Sequence, residues 1–119
     1  MSDPTNFYAH LISMLYTTTY ADGIYLCGDF NGRTGDYKDC IESIDHLPCR
    51  INVDKERNAY GETLCDFLID TQMCIANGGI CQNFNNYTCI SNRGLSVVDY
   101  LLVPQLCMNK VNDLRVITI

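Results

Sequence analysis

Two short segments carry oxygen-bearing side chains next to apolar runs that are typical of β-strands. The first, GDFN at residues 28–31, places Asp29 and Asn31 two residues apart, directly after the apolar run IYLC. Ligands of α/β sheets bind beyond the carboxyl ends of the strands, so this acid and this amide are candidate site residues. The second, SVVDYLLV at residues 96–103, holds Asp99 as a lone carboxylate. Burying a charge requires a partner or a proton, and such a carboxylate often orients a histidine.

Two common ligand-binding motifs are excluded on the same residues. An EF-hand calcium loop that starts at Asp29 requires Gly at its sixth position and Glu at its twelfth. These positions hold Thr34 and Cys40. A P-loop requires a lysine after its last glycine, and none follows Gly35. By itself, GDFN is also compatible with an ordinary turn after a strand, since Asp, Asn and Gly are common turn residues.

Length and charge limit the class of protein. A chain of 119 residues fits one domain over residues 1–119. Its apolar runs are too short to cross a bilayer, so we expect no membrane partner. Eight basic against fourteen acidic residues give a net charge of −6, which repels nucleic-acid phosphates. Phosphate chemistry in such a protein would need a metal ion between the carboxylates and the substrate.

The eight cysteines are more typical of a reduced protein than of a disulfide scaffold. They form no Cys-x-x-Cys pair, which argues against the common zinc patterns. The N-terminal segment MSDPTN lacks the features of a secretory signal. We therefore expect an intracellular location, nuclear or cytoplasmic. A secreted, disulfide-bonded binding domain is the weaker alternative.

The hydrophobic pattern predicts two helices that position these residues. The first is expected to start at Asp3-Pro4 and to bury apolar side chains at helical spacing, namely Phe7, Leu11, Met14 and Leu15. The second is expected over residues 62–74, with an exposed face formed by Glu62, Asp66 and Asp70.

Strands are expected at residues 24–27, 87–90, 96–103 and 114–119. The first is expected to be buried on both faces, because its apolar run is continuous. Pro104 should end the third. Residues 32–59 have little periodicity and predict a long surface segment. Because helices and strands interleave, the predicted fold class is α/β.

The order of these segments resembles the endonuclease/exonuclease/phosphatase superfamily, most closely the endonuclease domain of non-LTR (LINE-type) retrotransposons. Four segments match in family order: GDFN at 28–31, NAYGETLCDF at 58–67, YT at 87–88 and SVVDY at 96–100. The match spans most of residues 5–119. The resemblance implies a partial four-layer α/β sandwich, in which two β-sheets pack face to face with helices outside.

The resemblance also implies Mg²⁺-dependent hydrolysis of phosphodiester bonds by an activated water. DNA would be the substrate, and the remainder of a retrotransposon polyprotein a partner. By this analogy Asp29 binds the metal and positions or deprotonates the attacking water, and Asn31 donates its amide to a phosphate oxygen. Asp99 would orient the catalytic histidine, and Arg33 would contact a phosphate. The metal would explain how an acidic chain acts on a polyanion.

Two parts of the family site have no counterpart in the sequence: the metal-binding glutamate and the Ser-Asp-His motif with the catalytic histidine. SIDH at residues 43–46 echoes that motif in the wrong chain order, so we interpret His46 as a loop residue. We interpret His10 as a solvent-exposed residue of the first helix. The sequence thus predicts a domain truncated at both ends, holding half of a catalytic site and inactive in isolation. The alternative is a catalytically inert remnant or an interaction module with the same fold.

Overall fold

The described part of the chain contains two α-helices, five short strands and a 3-10 helix. A computed structural model describes residues 4–17, 23–40, 50–78, 87–111 and 114. The elements in chain order are α1 (Pro4–Thr17), β1 (Leu26–Asp29), α2 (Ala59–Thr71), β2 (Met73–Ile75), β3 (Cys89–Ser91), β4 (Gly94–Ser96), β5 (Asp99–Pro104) and a 3-10 helix (Gln105–Lys110). Among these helices, none combines the length and the apolar character needed to cross a membrane.

The strands form two antiparallel sheets. One is a three-stranded sheet in the order β1-β5-β2, with β5 in the centre. In its register Leu102 of β5 lies opposite Leu26 of β1 and Ile75 of β2. The other is the hairpin β3–β4, whose side chains are mostly exposed. Two sheets accompanied by helices confirm the predicted α/β class.

Both helices pack on one face of the three-stranded sheet, which we call the helical face. Side chains alternate along a strand, so Leu26, Tyr100 and Leu102 point to this face. There they form the main core with buried side chains of the two helices, namely Tyr8, Leu64, Phe67 and Leu68.

The opposite face of this sheet, which we call the open face, is covered by described residues only near β2. A smaller core lies there, with Cys74, Ala76 and Val103 packed against Met108 of the 3-10 helix. The β1 side of the same face is exposed at Cys27. The described residues therefore cover the helical face more completely than the open face.

The N-terminus of α2 is packed directly against the loop that follows β1. The side-chain oxygen of Asn58 accepts hydrogen bonds from the amides of Gly61, 2.8 Å away, and Arg33, 3.0 Å away. A Cβ at Gly61 would overlap the carbonyl oxygen of Arg33, and a Cβ at Gly32 would lie 3.0 Å from Gly61. The two glycines therefore allow a close approach that fixes the loop on the helix.

Several predicted elements need correction. The second helix ends at Thr71, and Met73 and Cys74 belong to β2. The helix stops because Gln72 adopts a left-handed conformation, with φ 58°, and its amide bonds back to the carbonyl of Ile69. The predicted strand over residues 96–103 is divided between β4 and β5. The apolar pattern continues across both places, so it indicates neither the end of α2 nor the division between β4 and β5.

The prediction that the first strand is buried on both faces is wrong. It spans Leu26–Asp29 and lies at the edge of its sheet. Tyr25 is 47% exposed, and Cys27 is exposed as well. The hydrophobic run does not distinguish an edge strand from a central one, because this depends on which strands pair.

The predicted core face of α1 is half correct. Leu11 and Leu15 pack against the core, but Phe7 and Met14 are 37% and 52% exposed. The buried face of α1 lies closer to Tyr8 than predicted, because Tyr8 is only 4% exposed. The centre of its ring lies 4.9 Å from the centre of the Phe67 ring. The N-cap at Asp3 and the strand over 114–119, apart from Leu114, lie outside the described residues.

The segment over residues 32–59 is not simply a surface segment. Its described parts contain buried polar side chains, namely Thr34, Asp39, Asn52 and Asp54. Asn52 donates to the hydroxyl of Thr34, 3.1 Å away, and Arg50 donates to the same oxygen from 2.9 Å. Hydrogen bonds of polar side chains hold much of this segment, and such bonds leave no hydrophobic periodicity in the sequence.

We expect Gly61→Ala to destabilise the protein, although alanine is the better helix former by about 1 kcal/mol. The added methyl group overlaps the backbone of Arg33. Overpacking of this kind costs about 1–3 kcal/mol. Urea unfolding measures the difference. Glu62→Ala, at the next and exposed position, is the control and should change little. Equal or higher stability of Gly61→Ala would contradict the close approach.

Candidate functional site

Asp29 and Asp99 lie directly opposite each other on neighbouring strands at one end of the three-stranded sheet. The amide of Phe30 donates to the carbonyl of Val98 from 2.9 Å. By the alternation of an antiparallel ladder, Asp29 and Asp99 are then a pair without mutual backbone hydrogen bonds. The Cα atoms of such a pair are about 4.5 Å apart, and the two side chains share a face. The structure thus brings the two predicted acids together, on the open face.

A tight turn holds the loop beyond β1. The amide of Asn31 donates to Oδ1 of Asp29 from 2.8 Å, and Asn31 has a positive φ of 55°. The side-chain amide of Asn58 lies 3.5 Å from the carbonyl oxygen of Asn31. Asp29 and Asn31 are both exposed. The turn places the predicted amide next to the predicted acid, with both side chains open to a ligand.

Asp99 is held through its backbone. The hydroxyl of Thr88 accepts hydrogen bonds from the amides of Val98 and Asp99, at 3.0 and 3.2 Å. Asn77 donates to the carbonyl of Asp99 from 3.1 Å and accepts from the amide of Leu101 at 3.0 Å. The side chain is half-buried rather than fully buried. These contacts fix the start of β5 and leave its first carboxylate beside Asp29.

Tyr100, on the helical face, links the loop after β1 to the segment before β5. Its hydroxyl donates to the carbonyl oxygen of Gly32, 2.6 Å away, and lies 2.8 Å from that of Val97. Burial raises the pKa of this phenol to about 12, so it stays protonated and keeps donating at neutral pH. The tyrosine of the SVVDY segment therefore positions the loop after β1 relative to the start of β5.

Arg33 forms a bidentate ion pair instead of standing free. Its Nε and Nη2 donate to the carboxylate of Asp54 from 2.9 and 2.8 Å. That carboxylate, with a side chain 3% exposed, also accepts from the amides of Val97 at 2.9 Å and Glu56 at 3.1 Å. Burial alone would raise the pKa of Asp54, but these hydrogen bonds, led by that of Arg33, lower it. Arg33 was predicted to contact a phosphate, but two of its nitrogens are already hydrogen-bonded to Asp54.

The sequence did not single out Asp54, Asn77 or Thr34. Asp54 lies in a segment without periodicity, and Arg33 is its partner from a distant part of the chain. Asn77 precedes Gly78, and in the sequence the two residues indicate only the end of an apolar run. No short-range pattern identifies such residues, because each is defined by a contact between segments.

A cavity of about 500 Å³ opens beside the Arg33–Asp54 pair, between residues 53–56 and the hairpin β3–β4. Lys55 and Arg93 line it together with Glu56. Its charges are therefore mixed. The hairpin precedes β5, the strand that carries Asp99, in the chain.

The described residues do not bring a histidine or a third acid to the pair. His10 is exposed on α1, which packs on the other face of the sheet. His46 lies outside the described residues. In the part of the chain that the structure describes, no group of three or more His, Cys, Asp or Glu side chains could hold a metal ion. Glu62, Asp66 and Asp70 are exposed on α2, as predicted.

The described cysteines are present as thiols. Cys27, Cys40, Cys65, Cys74, Cys89 and Cys107, the cysteines with described placement, form no disulfide. Burial raises the pKa of Cys65 and of Cys74 to about 12, so neither is a nucleophile at neutral pH.

No model of a protein family, no curated protein and no solved structure matches the chain. The resemblance to LINE-type endonucleases accordingly depends on the four sequence segments and on the positions that their residues occupy in the fold.

We expect Asp99→Asn to stabilise the protein by about 0.2–1 kcal/mol, because it removes a like charge directly opposite Asp29. Asparagine has nearly the same shape, and the described hydrogen bonds of Asp99 are made by its backbone. The free energy of unfolding in urea at neutral pH and low salt is the measurement. Asp66→Asn on exposed α2 should have a smaller effect. An unchanged or lowered stability of Asp99→Asn would show that the two carboxylates do not repel each other.

We expect Arg33→Met to lower the free energy of unfolding by about 3 kcal/mol, because it leaves a buried carboxylate without its ion-pair partner. Arg57→Met is the matched control, since Arg57 pairs with Asp36 at 3.5 Å between two exposed side chains. Exposed pairs contribute about 0–1 kcal/mol.

The pH dependence gives a second check of the same pair. The pKa of Asp54 is lower in the folded state, so its stabilising effect is present above the ordinary value of 3.8 and is lost as the pH falls below it. The difference between wild type and Arg33→Met should therefore shrink in acid. Equal effects of Arg33→Met and Arg57→Met at neutral pH would contradict this account.

Proposed function

We propose that this chain is part of a Mg²⁺-dependent phosphodiesterase, a DNA endonuclease of the retrotransposon type, which hydrolyses phosphodiester bonds with an activated water when complete. The observation that carries the proposal is the direct pairing of Asp29 with Asp99 across two strands. Like charges directly opposite each other weaken a sheet, and a site for a cation gives a reason for placing them there.

The contacts around the pair support the proposal, because each of the four segments contributes residues that position it. Asn58 and Gly61 fix the loop after β1 on α2. Thr88 binds the first amides of β5. Tyr100 bonds to the loop at Gly32. The segments that match the family in sequence are thus the segments that contact one another in the fold.

In the proposed reaction, Asp29 uses the oxygen that is not engaged by the amide of Asn31 to position or deprotonate the attacking water. Asn31, exposed beside it, donates its side-chain amide to a phosphate oxygen as negative charge develops there. Asp99 orients a histidine that comes from outside the described residues. Arg33 holds the loop through Asp54 and reaches a phosphate only with its remaining nitrogen.

The oxygen ligands suit a hard cation, because carboxylates and amide carbonyls are what Mg²⁺ prefers. Asp29 would hold it, with Asp99 nearby. When bound, the ion supplies positive charge against the phosphate, which offsets the net charge of −6 of the chain. In this proposal the described residues contribute two acids, and no group of three or more described His, Cys, Asp or Glu side chains could hold the ion by itself. We therefore infer that further residues of a retrotransposon polyprotein complete it. The described thiols, which are not in disulfides, favour an intracellular location, nuclear or cytoplasmic.

The second candidate function is a catalytically inert remnant or an interaction module. The absence of a histidine and a third acid beside the pair, among the described residues, favours it. The two candidates differ in one property. A remnant need not bind a divalent cation at Asp29 and Asp99, whereas the endonuclease requires it.

Paramagnetic Mn²⁺ as a substitute for Mg²⁺ distinguishes them. We expect low concentrations of Mn²⁺ to broaden the NMR signals of residues 28–31 and 99 first, because both carboxylates meet there. The effect should be lost in Asp29→Asn and kept in Asp70→Asn, which alters an exposed acid of α2. Broadening that follows the exposed acids of α2, or that persists in Asp29→Asn, would refute the proposed metal site.

DNA nicking provides a separate test of the proposed function. The 119-residue chain should not nick supercoiled DNA with Mg²⁺. A longer product of the same transcript that adds a metal-binding glutamate and a Ser-Asp-His segment should nick it, and Asp29→Asn in that product should not. Robust nicking by the 119-residue chain would show that the missing groups are not needed.

A further inference from the structure

A second cavity, of about 360 Å³, lies at the end of the three-stranded sheet that is opposite to the Asp29–Asp99 pair. It is lined by Ile24 before β1, Met73 at the start of β2 and Pro104 at the end of β5. In the register of the sheet, these strand ends are the ones that lie away from the two acids. The cavity is therefore separate from the proposed metal site.

Apolar side chains line this cavity from the helices as well as from the sheet. Ile12, Leu15 and Tyr16 of α1 lie across from the residues of the strand ends. Cavities that bind small molecules measure about 300–1,000 Å³ and have a largely apolar lining with a few polar groups. Both the size and the lining of this cavity agree with that description. A ligand that fits it has an apolar body.

The polar part of the lining is negative. Both α-helices end at the cavity, with Tyr16 in the last turn of α1 and Asp70 in the last turn of α2. The C-terminal end of a helix carries about half a negative elementary charge, which basic residues in the last turn offset. Neither helix has a basic residue in its last turn, and no described residue that lines the cavity is basic. Two helix ends and one carboxylate therefore meet without a positive charge.

The undescribed residues next to the cavity do not supply the missing charge. Residues 18–22, TTYAD, join α1 to Gly23 in the cavity wall, and they contain an acid but no Lys, Arg or His. Arg115 is the only lysine or arginine among the undescribed residues of the chain. Its neighbour Leu114 packs against the smaller core on the open face, whereas the cavity lies at the ends of the helices. The composition of the chain therefore favours an external cation.

We propose that this cavity binds a small organic cation, a protonated primary amine on an apolar body such as an aromatic ring. The apolar walls bury the body, and the ammonium group lies against the carboxylate of Asp70 and the two helix ends. Tyr16 also lines the cavity, and its ring attracts a cation. This inference is independent of the proposed endonuclease activity, because the two sites lie at opposite ends of the sheet.

A titration of the reduced 119-residue chain with 2-phenylethylammonium chloride, followed by NMR at neutral pH, tests the proposal. We expect saturable shifts of the amide signals of residues 12–16 and 70–73, which line the cavity, relative to NaCl at the same ionic strength. The matched neutral probe is 2-phenylethanol, which has the same apolar body and should bind roughly tenfold more weakly. Equal affinities for the two probes, or no saturable shift of these signals, would overturn the proposal.

Asp70→Asn and Asp66→Asn distinguish the cavity from the general negative charge of α2. Both carboxylates are exposed on this helix, but only Asp70 lines the cavity. Asp70→Asn should weaken the binding of the amine roughly threefold and leave that of the alcohol unchanged. Asp66→Asn should change neither. An equal loss in both variants would show an unspecific attraction to an acidic helix, and the proposed site would be wrong.

Arg115→Gln tests whether the chain fills the cavity with its own cation. We expect this variant to bind the amine with the affinity of the wild type, because the cavity takes its cation from outside the chain. Tighter binding of the amine by Arg115→Gln would show that the guanidinium of Arg115 competes for the cavity. That result would overturn the proposal.

Discussion

The buried carboxylate of Asp54 is the interaction on which the arrangement of the site depends. It accepts hydrogen bonds from Arg33 in the loop after β1, from Glu56 in its own loop and from Val97 just before β5. A charge with a side chain 3% exposed needs such partners, because removing it from water without them is costly. Three segments far apart in sequence are therefore held at fixed positions around one group.

Because Asp54 holds these segments in place, the like charges of Asp29 and Asp99 can face each other nearby. Repulsion between Asp29 and Asp99 disfavours their alignment, yet the register of β1 and β5 places them opposite each other. Thr88, Asn77 and Tyr100 bind the backbone on both sides and outweigh that repulsion. A local conflict that is maintained by the surrounding structure is typical of functional sites. The proposed endonuclease ancestry supplies a function for this conflict.

The sequence was informative wherever a property depends on neighbouring residues. GDFN and SVVDY identified the two acids and the amide, and helical spacing identified α2. It failed at boundaries that tertiary contacts set. Met73 and Cys74 continue the apolar pattern of α2 but pair with β5, because Gln72 turns the chain. The apolar run before Asp29 looked like a central strand and is an edge strand.

By itself, the sequence determined which residue types stand at the ends of the strands, the acidic charge and the α/β class, since these are local or additive properties. Only the tertiary structure decided that Asp29 faces Asp99, that Arg33 is engaged by Asp54 and that Asp39 closes the β2 edge of the sheet. The physical reason is that register, ion pairing and edge protection each join segments distant in the chain. No pattern within either segment encodes which partner it meets.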